Sequence, residues 1–255
     1  MKRAAWRAPL LAVLGVVLMA PVLPAQTDLF DVVREGSPAE IRGVIADGAD
    51  VNARSEKGRT PLMLAVAFNE SLGSIRALLE AGADVNARSE AGTTALMMAS
   101  AYNSDQRVVA LLLEEGARVN IKNNIGETPL LSASRSNPNP EVVRMLLDAG
   151  SDIDVRGAYG STPLIAAGVN PNTDVHDVLL DAGADVNDAG ENGGTVLMTA
   201  ALFNRNPEVI EYLLDVGAEP GREDVHGNTA WDYVQMNRQL AGTEAFDLLK
   251  DLAEN

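Results

Sequence analysis

Gly48-Ala49-Asp50-Val51-Asn52 is the stretch that decides the fold, because it returns along the chain at an almost constant interval. The leading glycines of successive copies are 34, 34, 34, 33 and 34 residues apart. A fixed interval of this length is typical of a chain built from stacked copies of one small unit. The later copies are Gly82-Ala83-Asp84-Val85-Asn86, Gly116-Ala117-Arg118-Val119-Asn120, Gly150-Ser151-Asp152-Ile153-Asp154, Gly183-Ala184-Asp185-Val186-Asn187 and, more weakly, Gly217-Ala218-Glu219-Pro220-Gly221.

A second motif recurs with the same period and predicts the start of a helix in each unit. A threonine hydroxyl accepts a backbone N–H group at a helix N-terminus, and proline is tolerated at the first helical position. Because both motifs recur with the same period, they stay in register through six copies. The second motif is found at Thr60-Pro61-Leu62, Thr94-Ala95-Leu96, Thr128-Pro129-Leu130, Thr162-Pro163-Leu164, Thr195-Val196-Leu197 and Thr229-Ala230-Trp231.

Each unit is predicted to contain two helices and a hairpin loop. An alanine five residues after each of the first five threonines, such as Ala65, lets neighbouring first helices approach closely. Apolar residues at helical spacing, such as Ile75 and Leu79, predict a second helix that ends at the recurring glycine. The chain then turns back through another glycine, such as Gly92. One unit cannot bury its apolar side chains alone, so the units must stack.

These motifs resemble those of ankyrin repeats, which are units of about 33 residues with a Thr-Pro-Leu-His motif. The resemblance covers about residues 27–255. It implies an all-α solenoid of stacked helix-turn-helix units with protruding β-hairpin loops. We expect seven units, with an N-terminal cap at residues 27–52, five inner repeats at about 53–228 and a C-terminal cap at 229–255.

The sequence departs from the family pattern at two places. Most units have an extra residue near the turn between the helices, and an asparagine lies nine residues after the threonine at Asn69, Asn103, Asn137 and Asn204. Asparagine tolerates the left-handed conformation, so we predict that these residues end the first helix in that conformation. The motif's histidine is also replaced, mostly by apolar residues that predict packing instead of hydrogen bonding, and these are Met63, Met97, Leu131, Ile165, Met198 and Asp232.

The first 25 residues have the layout of a secretory signal peptide. Three basic residues precede the apolar run Leu10–Met19, and we expect cleavage between Ala25 and Gln26. Leu23 is larger than the small residue usual at its position, so an uncleaved membrane anchor is the alternative. The wider apolar stretch from Ala8 to Ala25 has 18 residues and contains three prolines, which is short for a membrane span that needs about 20. We therefore expect a periplasmic or secreted protein.

Composition excludes several classes of function. The 255 residues include no cysteine and two histidines, which excludes disulfides and thiolate metal sites. The formal net charge is −16, and it becomes −19 when the basic leader is removed, so a nucleic acid partner is not expected. We find no cofactor, metal or catalytic motif, and expect no enzyme. Acidic residues recur at the ends of second helices, which indicates a solvated outer face, at Asp47, Glu80, Glu114, Asp148, Asp181 and Asp215.

Basic residues occupy one hairpin position in four successive units, at Arg54, Arg88, Lys122 and Arg156. At about 10 Å per helix layer, this basic stripe spans roughly 30 Å. We take it as a candidate partner-binding surface of an otherwise acidic molecule. The alternative is that these side chains are solvated hairpin charges, which are frequent in ankyrin repeats.

Aromatic residues form the second set of candidate partner-binding residues. Phe68, Tyr102 and Phe203 each directly precede a turn asparagine, and Tyr159 and Ile125 directly precede a hairpin glycine. Interface centres favour aromatic and arginine side chains. The alternative for Phe68, Tyr102 and Phe203 is that their rings pack under the neighbouring turn.

The fifth unit is one residue short, and it places His176 where the other units have an isoleucine or valine. If His176 is buried, its imidazole resists protonation, and its protonation at low pH would loosen the packing of the repeats. The alternative is a histidine that is partly exposed or hydrogen-bonded on a slightly shifted helix.

Together these features predict a non-catalytic, monomeric protein that binds another protein through its hairpins and the inner helix face. The family resemblance implies a scaffold or assembly role. The alternative is an acidic inhibitor or immunity protein whose negative field attracts a basic enzyme or toxin. We expect no membrane association unless the N-terminal segment stays uncleaved.

Overall fold

The computed structural model describes residues 28–69 and 71–254, and these form seven helix pairs stacked in chain order. The predicted signal peptide, residues 1–25, lies outside the described residues. The first helices of the pairs are α1 (Leu29–Glu35), α3 (Pro61–Phe68), α5 (Ala95–Tyr102), α7 (Pro129–Ser136), α9 (Pro163–Ala167), α11 (Val196–Phe203) and α13 (Ala230–Val234). The second helices are α2 (Pro38–Ala46), α4 (Leu72–Glu80), α6 (Gln106–Glu114), α8 (Pro140–Asp148), α10 (Thr173–Asp181), α12 (Pro207–Asp215) and α14 (Glu244–Glu254).

The helix starts are those that the threonine motif predicts. The Thr60 hydroxyl accepts the backbone N–H of Met63 at 3.4 Å, and the same bond caps α5, α7, α9 and α11. Asparagine opens three of the second helices in a similar way, because Asn139, Asn172 and Asn206 each accept the N–H of the residue two positions on. Local hydrogen bonding therefore sets where these helices begin.

The glycine that opens each repeated stretch ends the second helix in the left-handed region, with φ of +101° at Gly48 for example. The following loop folds back as a tight hairpin, with Ser55 N–H donating to the Arg59 carbonyl at 3.0 Å. Neighbouring loops are joined by further backbone bonds, such as Glu90 N–H to the Lys57 carbonyl at 3.2 Å. Among the described residues these loops contain no β-strand beyond one isolated bridge, so the expected β-hairpins are turns.

Most of the core is one apolar cluster that runs through the stack from Leu29 to Leu249, and Leu131, Val155 and Ala166 form a second, smaller cluster. The alanines in the middle of the first helices are fully buried, as expected for closely packed helices. Met63, Met97 and Met198 are also buried, so apolar packing replaces the hydrogen bonds of the family's histidine. Each unit therefore depends on its neighbours for burial.

The turn asparagines directly follow their helices, but the prediction of a left-handed conformation is wrong. Asn69, Asn103, Asn137 and Asn204 have φ of −95°, −100°, −91° and −72°, in the extended region. Their side chains explain the choice, because each amide donates to a carbonyl of the preceding unit. Asn137 Nδ2, for example, lies 2.9 Å from the Ser100 carbonyl oxygen. These asparagines therefore join neighbouring repeats through side-chain hydrogen bonds.

The fifth unit is shortened in its first helix. α9 has five residues, whereas α3, α5, α7 and α11 have eight. Asn170 still reaches back to the Ser134 and Asn137 carbonyls, at 3.0 and 2.8 Å. The missing residue is therefore absorbed in the helix, and the tie between units is kept.

Candidate functional site

The five predicted aromatic and aliphatic contact residues are all exposed. The exposed fraction is 53% for Phe68, 71% for Tyr102, 66% for Ile125, 76% for Tyr159 and 61% for Phe203. The first helices place Phe68, Tyr102 and Phe203 at their last position, and the hairpins carry the other two. Rings packed under the neighbouring turn would be buried. The exposure of Phe68, Tyr102 and Phe203 therefore favours the contact role over this alternative.

Four of these residues surround one groove with a volume of about 710 Å³. Tyr102 and Phe203 come from α5 and α11, while Ile125 and Tyr159 come from the hairpins between them. Phe68 does not line this groove; its ring lies 5.1 Å from the guanidinium carbon of Arg34. The structure therefore brings four of the five together.

Small side chains in the middle of the stack open the groove. Ser136 is the last residue of α7, the position that Tyr102 and Phe203 hold in their helices. Ala166, Gly190 and Gly194 add little volume to the lining. The sequence motifs do not predict these residues. The one signal for them is that Ser136 precedes its turn asparagine where Tyr102 and Phe203 precede theirs. The result is a trough with an aromatic side chain at either end.

Tyr159 is the one non-glycine residue with positive φ among the described residues. Its φ of 57° and ψ of 24° lie in the left-handed region, inside the short 3₁₀ turn Ala158–Gly160. Most side chains avoid this conformation, and strained backbone is concentrated at binding sites. Its carbonyl accepts the N–H of Glu191 at 2.9 Å, which ties the strained turn to the next hairpin.

The groove lining contains one charged pair. The guanidinium of Arg135 lies 3.5 Å from the carboxylate of Glu127. The Arg135 side chain is 43% exposed and that of Glu127 is 16% exposed. The two charges compensate each other, so the groove presents a nearly neutral surface of apolar, hydroxyl and amide groups.

The basic stripe has a structural role that sequence analysis did not foresee. Arg54, Arg88 and Lys122 each donate to the backbone carbonyl of the basic residue one unit further on, at 2.7, 3.0 and 3.0 Å. Arg156 donates to the Ala189 carbonyl and forms an ion pair with Asp188 at 2.7 Å. The four side chains lie exposed along the hairpins, and their donors connect neighbouring hairpins.

His176 is fully buried, in the position that isoleucine or valine fills in the other second helices. Its Nδ1 lies 3.2 Å from the Asn172 carbonyl, while its buried Nε2 has no hydrogen-bond partner. Burial lowers the pKa of the imidazole, and the hydrogen bond to Asn172 opposes this effect only in part. The site is a packing position on α10, a helix that contributes no residue to the groove lining.

Charge is divided between two faces of the stack. The groove face comprises the hairpins and first helices of residues 53–69, 87–103, 121–137, 155–170 and 188–204, with seven basic and five acidic residues. The outer face comprises the segments with second helices, residues 71–86, 104–120, 138–154, 171–187 and 205–221, with five basic and 17 acidic residues. The negative charge of the molecule therefore lies mainly on the face opposite the groove.

The described residues contain no cluster of histidine, aspartate or glutamate side chains that could hold a metal ion. None of the helices in residues 28–69 and 71–254 is long and apolar enough to cross a membrane. The groove lining consists mainly of apolar side chains, hydroxyls and amides.

Comparison with known proteins agrees with this geometry. The family model described as ankyrin repeats (3 copies) matches residues 29–123, 71–157, 102–190 and 130–224. The crystal structure of the human ASB11 ankyrin repeat domain is similar, with a TM-score of 0.74 and 27% sequence identity. The match covers 88% of this chain and 96% of that one. A search of curated proteins finds no significant match.

Ankyrin repeats are protein–protein interaction modules, and the family is generally non-catalytic. The matched ranges extend from residue 29 to residue 224 and so include well over half of the chain. The helix pairs, their caps and their stacking order agree with this match. The chain belongs to the ankyrin-repeat family.

Proposed function

We propose that this protein binds a partner protein through the groove bounded by Tyr102, Ile125, Tyr159 and Phe203. The observation that carries the proposal is the exposure of these four large side chains around one trough. Water-exposed apolar patches of this kind mark interaction sites, and aromatic residues dominate the energetics of interfaces. The strained turn at Tyr159 adds support, because the fold tolerates a costly conformation there.

The basic stripe contributes less to binding in this proposal than the groove does. Its side-chain donors are already bound to carbonyl oxygens of the next hairpin. A partner that took these donors would have to replace bonds that hold the hairpins together. We therefore assign Arg54, Arg88, Lys122 and Arg156 mainly to stacking, and the recognition of the partner to the aromatic groove.

Site-specific photocrosslinking in the producing cell tests the groove as the binding surface. A benzophenone amino acid replaces Tyr159 in one variant and Arg144, exposed on the outer helix α8, in a matched control. We expect one protein to be captured from position 159 and to be absent at position 144. Equal capture at both positions, or capture only at position 144, would move the binding surface away from the groove.

The proposed compartment is the periplasm or the exterior of the cell, since residues 1–25 have the features of a signal peptide. The mature chain would begin at Gln26. Mass spectrometry of the protein isolated from the cell envelope tests this, and a mass equal to that of residues 26–255 is expected. An intact chain recovered with the membrane fraction would identify an uncleaved anchor instead.

A second candidate function is inhibition of a basic enzyme or toxin, and the acidic outer face favours it. Such an inhibitor would bind through that face, and its association would slow steeply with added salt. Stopped-flow association with the captured protein distinguishes the two functions. A rate that changes little between 50 and 500 mM salt supports groove binding, and a fall of a hundredfold or more supports the inhibitor.

A further inference from the structure

The groove runs along the stack and crosses four repeats. Its ends are Tyr102 on α5 and Phe203 on α11, and α7 and α9 lie between these two helices. Packed helices lie about 10 Å apart, so the three steps from α5 to α11 span roughly 30 Å. An extended chain advances about 3.3 Å per residue, so about nine residues fill this length.

The repeat spacing selects one backbone conformation for such an occupant. A polyproline II helix has three residues per turn and rises about 3.1 Å per residue, so residues i, i+3 and i+6 face the same way about 9 Å apart. This interval matches the step between repeats. A β-strand alternates its faces at every residue, so side chains on one face recur about every 7 Å and lose register with the repeats.

The charges of the lining define the chemistry of the occupant. Glu127 and Arg135 are the charged residues of the lining, and they neutralise each other at 3.5 Å. The remaining polar lining consists of hydroxyl and amide groups such as Ser132 and Asn123. An ionic side chain placed there would lose water without gaining a free counter-charge. Neutral side chains meet no such cost, and polyproline II segments dock in aromatic-lined grooves generally.

We propose that the groove takes an uncharged segment of about nine residues in polyproline II conformation, with large apolar side chains at positions i, i+3 and i+6. This inference rests on the proposed function and specifies its partner. The anchoring side chains enter the trough between Tyr102 and Phe203, where Ser136 leaves room, and Ile125 and Tyr159 close over them from the hairpins.

Ser136 provides a variant that fills the groove without removing a contact. Tyr102 and Phe203 show that an aromatic residue fits this position of the repeat, and the Ser136 hydroxyl takes part in no hydrogen bond of the described residues. Ser136→Tyr should therefore fold normally and obstruct the trough. Ser104→Tyr is the matched control, because Ser104 is also exposed but lies outside the lining.

The test is selection of phage-displayed random dodecapeptides on the wild-type protein, with counter-selection on Ser136→Tyr. We expect a consensus with apolar residues at i, i+3 and i+6, proline between them, and depletion of acidic and basic residues. Fluorescence anisotropy of the enriched peptide should show binding at least tenfold weaker to Ser136→Tyr and unchanged for Ser104→Tyr. Circular dichroism and melting of both variants establish that they are folded.

A consensus with alternating apolar residues or with charged residues would overturn the inference, and so would the absence of peptides that distinguish wild type from Ser136→Tyr. The proposed function is judged separately, by capture at position 159 against position 144. Groove-specific capture of a folded protein without any matching peptide would leave that function standing while this inference fails.

Discussion

At the scale of single residues, Tyr159 combines strain with exposure. Glycine adopts its left-handed φ without steric cost, whereas a β-branched residue is more strained there than tyrosine. The ring is 76% exposed, so its packing contributes little to folding. The position therefore costs the fold free energy that a binding role would explain.

Substitution of Tyr159 separates stability from binding. Tyr159→Gly should unfold at the same urea concentration as wild type or at a higher one, because glycine relieves the backbone strain. The unfolding free energy of Tyr159→Val should be about 1 kcal/mol lower than that of Tyr159→Gly, because valine increases the strain. Both variants should bind the captured partner at least tenfold more weakly. A Tyr159→Gly protein that unfolds earlier and binds normally would show a structural role instead.

His176 predicts a pH dependence of stability. Its pKa is lowered by burial, so between its ordinary pKa of 6.5 and the lower value in the folded state the unfolded chain binds a proton that the folded chain excludes. The groups around it are the Asn172 carbonyl, the Tyr212 ring at 6.2 Å and the nearby Asp177 carboxylate, which accepts the Tyr212 hydroxyl. The unfolding free energy should therefore fall as the pH is lowered from 7 to 5.

The measurement is urea unfolding at pH 5, 6, 7 and 8 for wild type and His176→Val. The variant restores the aliphatic side chain that the other units have at this position. The slope of its unfolding free energy against pH should therefore lack the part that His176 supplies, while the carboxylates titrate equally in both proteins. Parallel curves for the two proteins would show that this histidine has no effect on the pH dependence of stability.

At the scale of the elements, helices and loops follow local sequence rules, and the bonds between repeats do not. The threonine caps and the glycine turns were predictable because each depends on a few neighbouring residues. The conformation of Asn137 was not, because its amide bonds residues 34 and 37 positions earlier in the chain. The same holds for Arg88, whose guanidinium reaches the carbonyl of Lys122 34 positions on.

The candidate site was predictable to a similar degree. The exposed side chains of the site were predictable because aromatic residues are rare in this chain and because of their positions in the repeat. Tyr102 and Phe203 end their helices, and Ile125 and Tyr159 precede hairpin glycines. Its shape did not follow, because the trough depends on which residues are small. The importance of Ser136 becomes clear only once α5, α7, α9 and α11 are known to lie side by side in this order.

The turn asparagines predict a graded loss of stability on substitution. Asn137→Ala removes two bonds from buried Nδ2 and leaves the Ser100 and Asn103 carbonyls unpaired. We expect a loss of about 2–6 kcal/mol, from roughly 1–3 kcal/mol for each of the two unsatisfied carbonyls. Asn103→Ala, at a partly exposed residue with one such bond, should cost less. Urea unfolding checks the order, and equal losses would contradict the account of these ties.

At the scale of the whole molecule, stacking converts a repeated sequence into two different surfaces. First helices and hairpins form the nearly neutral groove face, and second helices form the acidic outer face. Net charge alone favours the alternative function, inhibition of a basic protein, because it does not show where the charges lie. The division explains how a protein with a formal net charge of −16 has a nearly neutral groove face.

The central claim is that the partner occupies the groove. The most direct test is isothermal titration of the captured partner into wild type, Tyr102→Ala/Tyr159→Ala and the outer-face control Arg76→Ala/Arg144→Ala. We predict that the groove variant binds at least a hundredfold more weakly, as expected for two central aromatic residues, and that the control binds like wild type. Unchanged affinity of the groove variant, or a loss confined to the control, would contradict the account.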